Sequence, residues 1–166
     1  MKISEEEQLH SAEETSIGVY SPPDTNSNKF PKEEFPIVGI GASAGGLAAF
    51  EAFFSAIPDD IKSGMAFVLV QHLDPTHKSI LSDLVGRYTR MPVYEVKKSM
   101  VVHPDCVYVI PPNHDLVIEY GVLQLQEPAE PHGHRLPIDL FFRSLAQSKQ
   151  EMAIGIVLSG TGNDGT

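Results

Sequence analysis

A single cysteine, Cys106, leaves this sequence without an internal disulfide, which excludes the stapled secreted scaffolds and fits a reducing, cytoplasmic setting. Positive charge is scarce as well: 12 Lys and Arg stand against 22 Asp and Glu, a formal charge of −10. A surface that negative repels phosphate backbones, so nucleic acid is not an expected partner. No apolar run approaches the ~20 residues of a membrane span. The longest, Met65-Ala-Phe-Val-Leu-Val70, has the length of a strand, so no membrane insertion is expected. The N-terminus, Met-Lys-Ile-Ser-Glu-Glu-Glu, lacks the apolar core of a secretory signal. What is present, 166 residues of which 42% are apolar, suffices for one globular domain and not for two.

Residues 1–34 differ from the rest. Glu5, Glu6, Glu7, Glu13, Glu14, Asp24, Glu33 and Glu34 outnumber Lys2, Lys29 and Lys32, and Ser-Pro-Pro-Asp-Thr-Asn-Ser-Asn at 21–28 is turn chemistry without periodicity. Such a segment buries too little apolar surface to offset its ordering entropy and reads as a disordered acidic lead. From Phe35 onward strands and helices alternate. Pro36–Gly41, Ala66–Gln71 and Ile154–Leu158 read as buried strands, and Pro92–Val96 and Cys106–Ile110 as further strands. Leu47, Phe50, Phe53, Phe54 and Ile57 fall at helical spacing, as do Ile80, Leu81, Leu84, Val85 and Tyr88. Pro137 suits the first turn of a helix carrying Ile138, Phe141, Phe142 and Leu145. Asp115–Glu119 and Val122–Leu125 around Gly121 suggest an antiparallel hairpin. The pattern predicts an α/β, doubly wound domain over 35–166, with a mainly parallel sheet covered by helices on both faces. Because the sequence stops at Thr166 directly after a strand, a C-terminal unit is expected to be missing.

Ligands of open parallel sheets bind beyond the carboxyl ends of the strands. Three such ends carry chemistry. Gly41, Ser43 and Gly45 form Gly-x-Ser-x-Gly between a strand and a helix, where a serine hydroxyl can stand exposed on a sharp turn. The same stretch fits a relaxed dinucleotide fingerprint, Gly39-x-Gly41-x-x-Ala44, or a tight turn that merely needs glycine. His72 ends the second strand; an imidazole there can take a proton from a serine and return it to a leaving group, or simply be a satisfied polar residue. Asp164, in Ser159-Gly-Thr-Gly-Asn-Asp-Gly165, can orient an imidazole or cap a helix or turn. Serine, histidine and aspartate thus follow three different apolar strands, in the chain order Ser43, His72, Asp164, an order that a triad recognised by geometry and role permits.

At these loops the sequence resembles the catalytic domain of the chemotaxis-receptor protein-glutamate methylesterase family, the CheB type. Gly41-Ala-Ser-Ala-Gly-Gly46, Gln71-His72 and Leu158-Ser-Gly-Thr-Gly-Asn-Asp-Gly165 match that family's loops in order, supported by Val107–His114 and Ile138–Leu145. The resemblance implies Ser43 as nucleophile, His72 as general base and acid, Asp164 as the residue orienting His72, and the backbone N–H groups of Ala44 and Thr161 as oxyanion donors. It implies hydrolysis of γ-glutamyl methyl esters on chemoreceptor helices, with related glutamine deamidation, and no metal or organic cofactor. Thr161 stands where many members have methionine, which leaves a backbone donor in place. No receiver domain is expected within the 34-residue acidic lead, and His72-Leu-Asp-Pro-Thr-His-Lys-Ser79 resembles forms fused to a receptor methyltransferase. For a domain cut short at Thr166 the expectation is weak or absent activity.

Other readings compete. A nucleotide-binding α/β module expects an acidic ribose ligand at the end of the second strand, where Gln71-His72 stands instead. A catalytically inactive receptor-docking domain is the third. His132-Gly-His134 and the pair His72 and His77 lack further ligands for zinc, and Cys106 in a strand lacks an activating partner. Asp139 and Arg143 are expected to form a surface ion pair at helical spacing, with substrate contact at the rim the alternative.

Overall fold

The apolar runs become the parallel strands of one sheet. The computed structural model describes residues 34–43, 46–60, 62–71, 81–128, 135–159 and 164–165. The chain divides into two units, Met1–Lys32 and Glu33–Thr166. The first lies outside the described residues, and with it nearly all of the acidic lead. The second runs β1 (Ile37–Ala42), α1 (Gly46–Ser55), β2 (Ala66–Gln71), α2 (Leu81–Val85), β3 (Val93–Glu95), β4 (Ser99–Val101), β5 (Val107–Val109), β6 (Asp115–Glu119), β7 (Val122–Gln126), α3 (Pro137–Lys149) and β8 (Ala153–Ser159). The order β3-β5-β2-β1-β8 makes a five-stranded sheet, parallel throughout. A separate antiparallel sheet, β4-β7-β6, contains the expected hairpin of β6 and β7.

Side-chain alternation along β1 divides the core into two layers. Val38, Ile40 and Ala42 face Phe50 and Phe54 of α1 and Leu81 and Val85 of α2. Ile37 belongs to the opposite layer with Val68, Val70, Tyr108 and the α3 residues Ile138, Phe141 and Leu145, and the antiparallel sheet adds Leu116, Ile118 and Leu123. All six β1 residues are buried, as a central strand covered on both sides requires. On the α3 side, two of its positions are glycine. A Cβ on Gly39 would lie 2.9 Å from the Phe141 ring, and one on Gly41 only 2.5 Å from Ile138 Cγ2. The missing side chains let α3 lie directly on the strand. Further along α3, Ser144 Oγ accepts from the Ile118 N–H at 3.1 Å and donates to the Phe141 carbonyl at 2.8 Å, tying the helix to β6.

The expected strands are present within a residue of their bounds, while the second helix stops at Val85 and does not reach Tyr88. Leu47, which shares the helical spacing of Phe50 and Phe54, is 45% exposed whereas they are buried. Ser99–Val101, to which the sequence pattern assigns no element, forms β4; its alternation is too short to register as a strand, and pairing with β7 is what creates it. β8, expected to be buried, is not: it forms one edge of the sheet, which leaves Ile154 and Val157 39% and 45% exposed.

Two predictions follow from the core. Gly41→Ala forces a methyl group into Ile138 and is expected to destabilise the fold by about 1–3 kcal/mol in urea unfolding; a neutral result would contradict so close a contact. Tyr108 is 1% exposed. Its hydroxyl accepts from the His103 N–H at 2.9 Å and meets the Val101 carbonyl at 3.4 Å. Burial pushes its pKa from 10.0 up to about 12, against the opposing effect of the His103 hydrogen bond. An unfolded tyrosine releases its proton near pH 10, whereas the folded one holds it to about 12. Unfolding therefore releases a proton between those values, and stability falls as pH rises through that window. Tyr108→Phe is expected to flatten that alkaline decline, while costing about 1–3 kcal/mol at neutral pH because the His103 N–H loses its acceptor.

Candidate active site

Strand register brings three loops to one level. Ala42, the last residue of β1, pairs with Gln71, the last of β2, and with Ser159, the last of β8. Adjacent parallel strands lie about 4.8 Å apart, so the backbones of Ala42, Gln71 and Ser159 form a short row along the carboxyl edge of the sheet. The register between β1 and β8 slips at Gly41/Ala42, skipping Leu158 on β8. Such irregularities re-aim the chain where strands end.

Ser43 directly follows this row and is partly exposed. Its carbonyl accepts the Gly46 N–H at 3.0 Å, tying the end of β1 to the start of α1, and lies 3.4 Å from Gln71 Nε2. A Cβ on Gly46 would lie 2.8 Å from Ala42 Cβ and 2.9 Å from Gln71 Nε2. Glycine there lets the start of α1 close down on the ends of β1 and β2, holding Ser43 in a tight strand-to-helix turn. Gln71 Oε1 is buried with no hydrogen-bond partner among the described residues.

Asp164 sits against the first turn of α3. An α-helix leaves four N–H groups at its start without intrahelical partners. Here Pro137, in the first turn, has no N–H; Asp164 Oδ2 accepts from Ile138 at 3.1 Å and Oδ1 from Asp139 at 2.8 Å. The Leu140 N–H then makes the first bond of the helix, to the Leu136 carbonyl. The cap Leu136 offers no side-chain acceptor, so a carboxylate 26 residues away in sequence does that work. In return Asp139 Oδ1 accepts the Gly165 N–H at 2.7 Å. Gly165 has φ +86°, and a Cβ on it would lie 2.8 Å from Ile138 Cγ2, the same methyl that crowds Gly41. The turn bearing Asp164 and the end of β1 before Ser43 therefore press on one side chain.

Ser43 and Asp164 are thus both at the carboxyl edge. His72, Ala44 and Thr161 lie outside the described residues, as do His77, His132 and His134. Among the described residues no three His, Cys, Asp or Glu side chains gather as a metal site. Cys106 is partly buried and burial pushes its thiol pKa up, away from a reactive thiolate. Gly39 and Gly41, which a dinucleotide fingerprint would use for a phosphate, both face α3. The Asp139 and Arg143 pair forms at 3.9 Å. The second role of Asp139, on Gly165, escaped the sequence; an acidic residue two places after a helix-initiating proline was the available signal.

A profile of the CheB methylesterase family matches residues 38–166. The chain belongs to this family. It is 37% identical over 131 residues to protein-glutamate methylesterase/protein-glutamine glutaminase 3 of Burkholderia orbicola, covering 78% of this chain and 38% of that protein. It is 38% identical over 131 residues to the protein-glutamate methylesterase/protein-glutamine glutaminase of Mesorhizobium japonicum, with the same coverage. The CheB-type chain therefore spans about two fifths of the length of these curated relatives. The crystal structure of the Thermotoga maritima CheB methylesterase catalytic domain matches its fold with a TM-score of 0.69 at 24% identity, over 80% of this chain and 71% of that one. Among the described residues no helix is long and apolar enough to cross a membrane.

Capping of α3 in this CheB-type domain yields a stability prediction independent of any substrate. Asp164→Ala leaves two helix N–H groups without their acceptor and is expected to cost about 1–2 kcal/mol. Asp164→Asn keeps one acceptor oxygen and is expected to cost less, both read by thermal or urea unfolding.

Proposed function

We propose that the domain is the catalytic unit of a serine hydrolase that removes methyl esters from γ-glutamyl side chains of chemoreceptor helices, with glutamine deamidation as a related reaction. Ser43 is the nucleophile. Its Oγ attacks the γ-carbonyl carbon while His72 accepts the hydroxyl proton. The tetrahedral oxyanion is held by the backbone N–H groups of Ala44 and Thr161. Collapse of this intermediate breaks the bond to the methoxy oxygen, which leaves as methanol with the proton from His72. Water, giving a proton to His72, then attacks the acyl-enzyme; the bond to Ser43 Oγ breaks, His72 returns that proton to Oγ, and glutamate is freed. With glutamine the leaving group is ammonia. Asp164 holds the far ring nitrogen of His72 in the productive tautomer. The substrate partner is a methylated cytoplasmic receptor helix, in a cytoplasmic setting, and a receptor methyltransferase is a candidate fused or associated partner.

The observation that carries this reading is the common level of Ala42, Gln71 and Ser159. Ser43 and His72 each follow one of these residues directly in sequence, and Asp164 follows Ser159 by five. The names of the relatives support the reaction class. Engagement of Asp164 with α3 is compatible with a triad role, since a carboxylate oxygen accepts more than one hydrogen bond.

The test is covalent. A fluorophosphonate is expected to add one equivalent to the intact protein, on Ser43 by peptide mass mapping. Ser43→Ala is expected to abolish both the labelling and methanol release from a methylated receptor. Labelling that survives Ser43→Ala would remove the nucleophile assignment.

A further inference from the structure

We propose that Asp139 is a positioning residue for catalysis, fixing the Asp164-Gly165 turn from the first turn of α3. This inference rests on the reading of Asp164 as the triad carboxylate. Asp139 makes two bonds to consecutive residues of the facing turn: its main-chain N–H reaches Asp164 Oδ1 at 2.8 Å, and its own Oδ1 receives the Gly165 N–H at 2.7 Å. One bond restrains where the Asp164 carboxylate lies; the other restrains the peptide behind it, so the turn can neither slide along α3 nor rotate against it.

The ion pair with Arg143 does not account for this placement. That contact is 3.9 Å long, and the Arg143 side chain is 78% exposed whereas that of Asp139 is 18% exposed. Exposed pairs of this kind contribute little. The bond to Gly165 is short, partly buried and assisted by charge, which makes it the stronger of the two. Gly165 has no side chain to fasten this position, since a Cβ there would lie 2.8 Å from Ile138 Cγ2, and its freedom at φ +86° makes an external restraint on its N–H useful. A triad tolerates little error in the orienting carboxylate: displacement by about 1 Å can cost ~100-fold in rate.

Two substitutions separate the acceptor from the charge. Asp139→Asn keeps an oxygen in place for the Gly165 N–H and loses the charge; Asp139→Glu keeps the charge and moves the oxygen outward by one methylene. Fluorophosphonate labelling of Ser43 in the intact protein is the first readout, and hydrogen exchange at the Gly165 amide is the second. Asp139→Asn is expected to label within about threefold of the parent rate, and Asp139→Glu about tenfold or more slowly with faster Gly165 exchange. The reverse order, or equal rates for both with unchanged exchange, overturns the proposal.

Asp164→Asn serves as the control. If it labels slowly while both Asp139 variants match the parent, the triad reading stands and the role of Asp139 falls. If Asp164→Asn matches the parent, the triad reading fails and the positioning role fails with it, whatever the Gly165 amide does.

Discussion

The close seating of α3 on β1 is the constraint on which the rest of the domain depends. Gly39 and Gly41 remove the side chains that would hold the helix away, and Ile138 and Phe141 occupy the space released. That contact sets the height of the first turn of α3 relative to the sheet edge. It thereby sets where a carboxylate must stand to satisfy the Ile138 and Asp139 N–H groups. The glycines near Ser43 consequently serve two neighbours. Gly46 admits the start of α1 beside Ala42 and Gln71, and Gly41 admits Ile138 from the other layer. A region that reads in sequence as one glycine-rich loop is, in space, a strand end pressed from both sides.

This double use explains what could be read from the sequence. Continuous apolar runs such as Ala66–Gln71 announced buried parallel strands because both their faces are covered, and the hairpin of β6 and β7 was marked by Gly121. Ser43, His72 and Asp164 could be expected on one rim because topology alone carries the ends of parallel strands to the same edge; of these, Ser43 and Asp164 are among the described residues. β4 had no such signature: three residues with Ser99 and Val101 exposed acquire strand geometry only through β7. Leu47 illustrates the opposite failure, since helical spacing identifies a face but not how far along that face burial extends.

The hydrogen bonds between distant residues were the least legible part. A spacing rule finds the Asp139 and Arg143 pair, since both lie on one helix. No rule of spacing links Asp139 to Gly165, 26 residues away, because that contact exists only once α3 and the end of β8 have been laid against the same strand. The alternatives left open for Asp164, orienting an imidazole or capping a helix, are likewise not exclusive in space. Its two oxygens each receive one helix N–H, and a carboxylate retains further acceptor capacity.

Proline at the start of α3 has an effect of its own on local opening. Because Pro137 brings no donor, the Ile138 and Asp139 N–H groups are matched one for one by the oxygens of a single carboxylate, and Asp139 closes the loop through Gly165. Fraying of the helix start would break these three hydrogen bonds to the 164–165 turn, and lifting that turn would bare the helix donors. Two segments separated by some twenty-six residues therefore open and close as one cooperative unit, rather than fluctuating as a loose tail beside a firm helix.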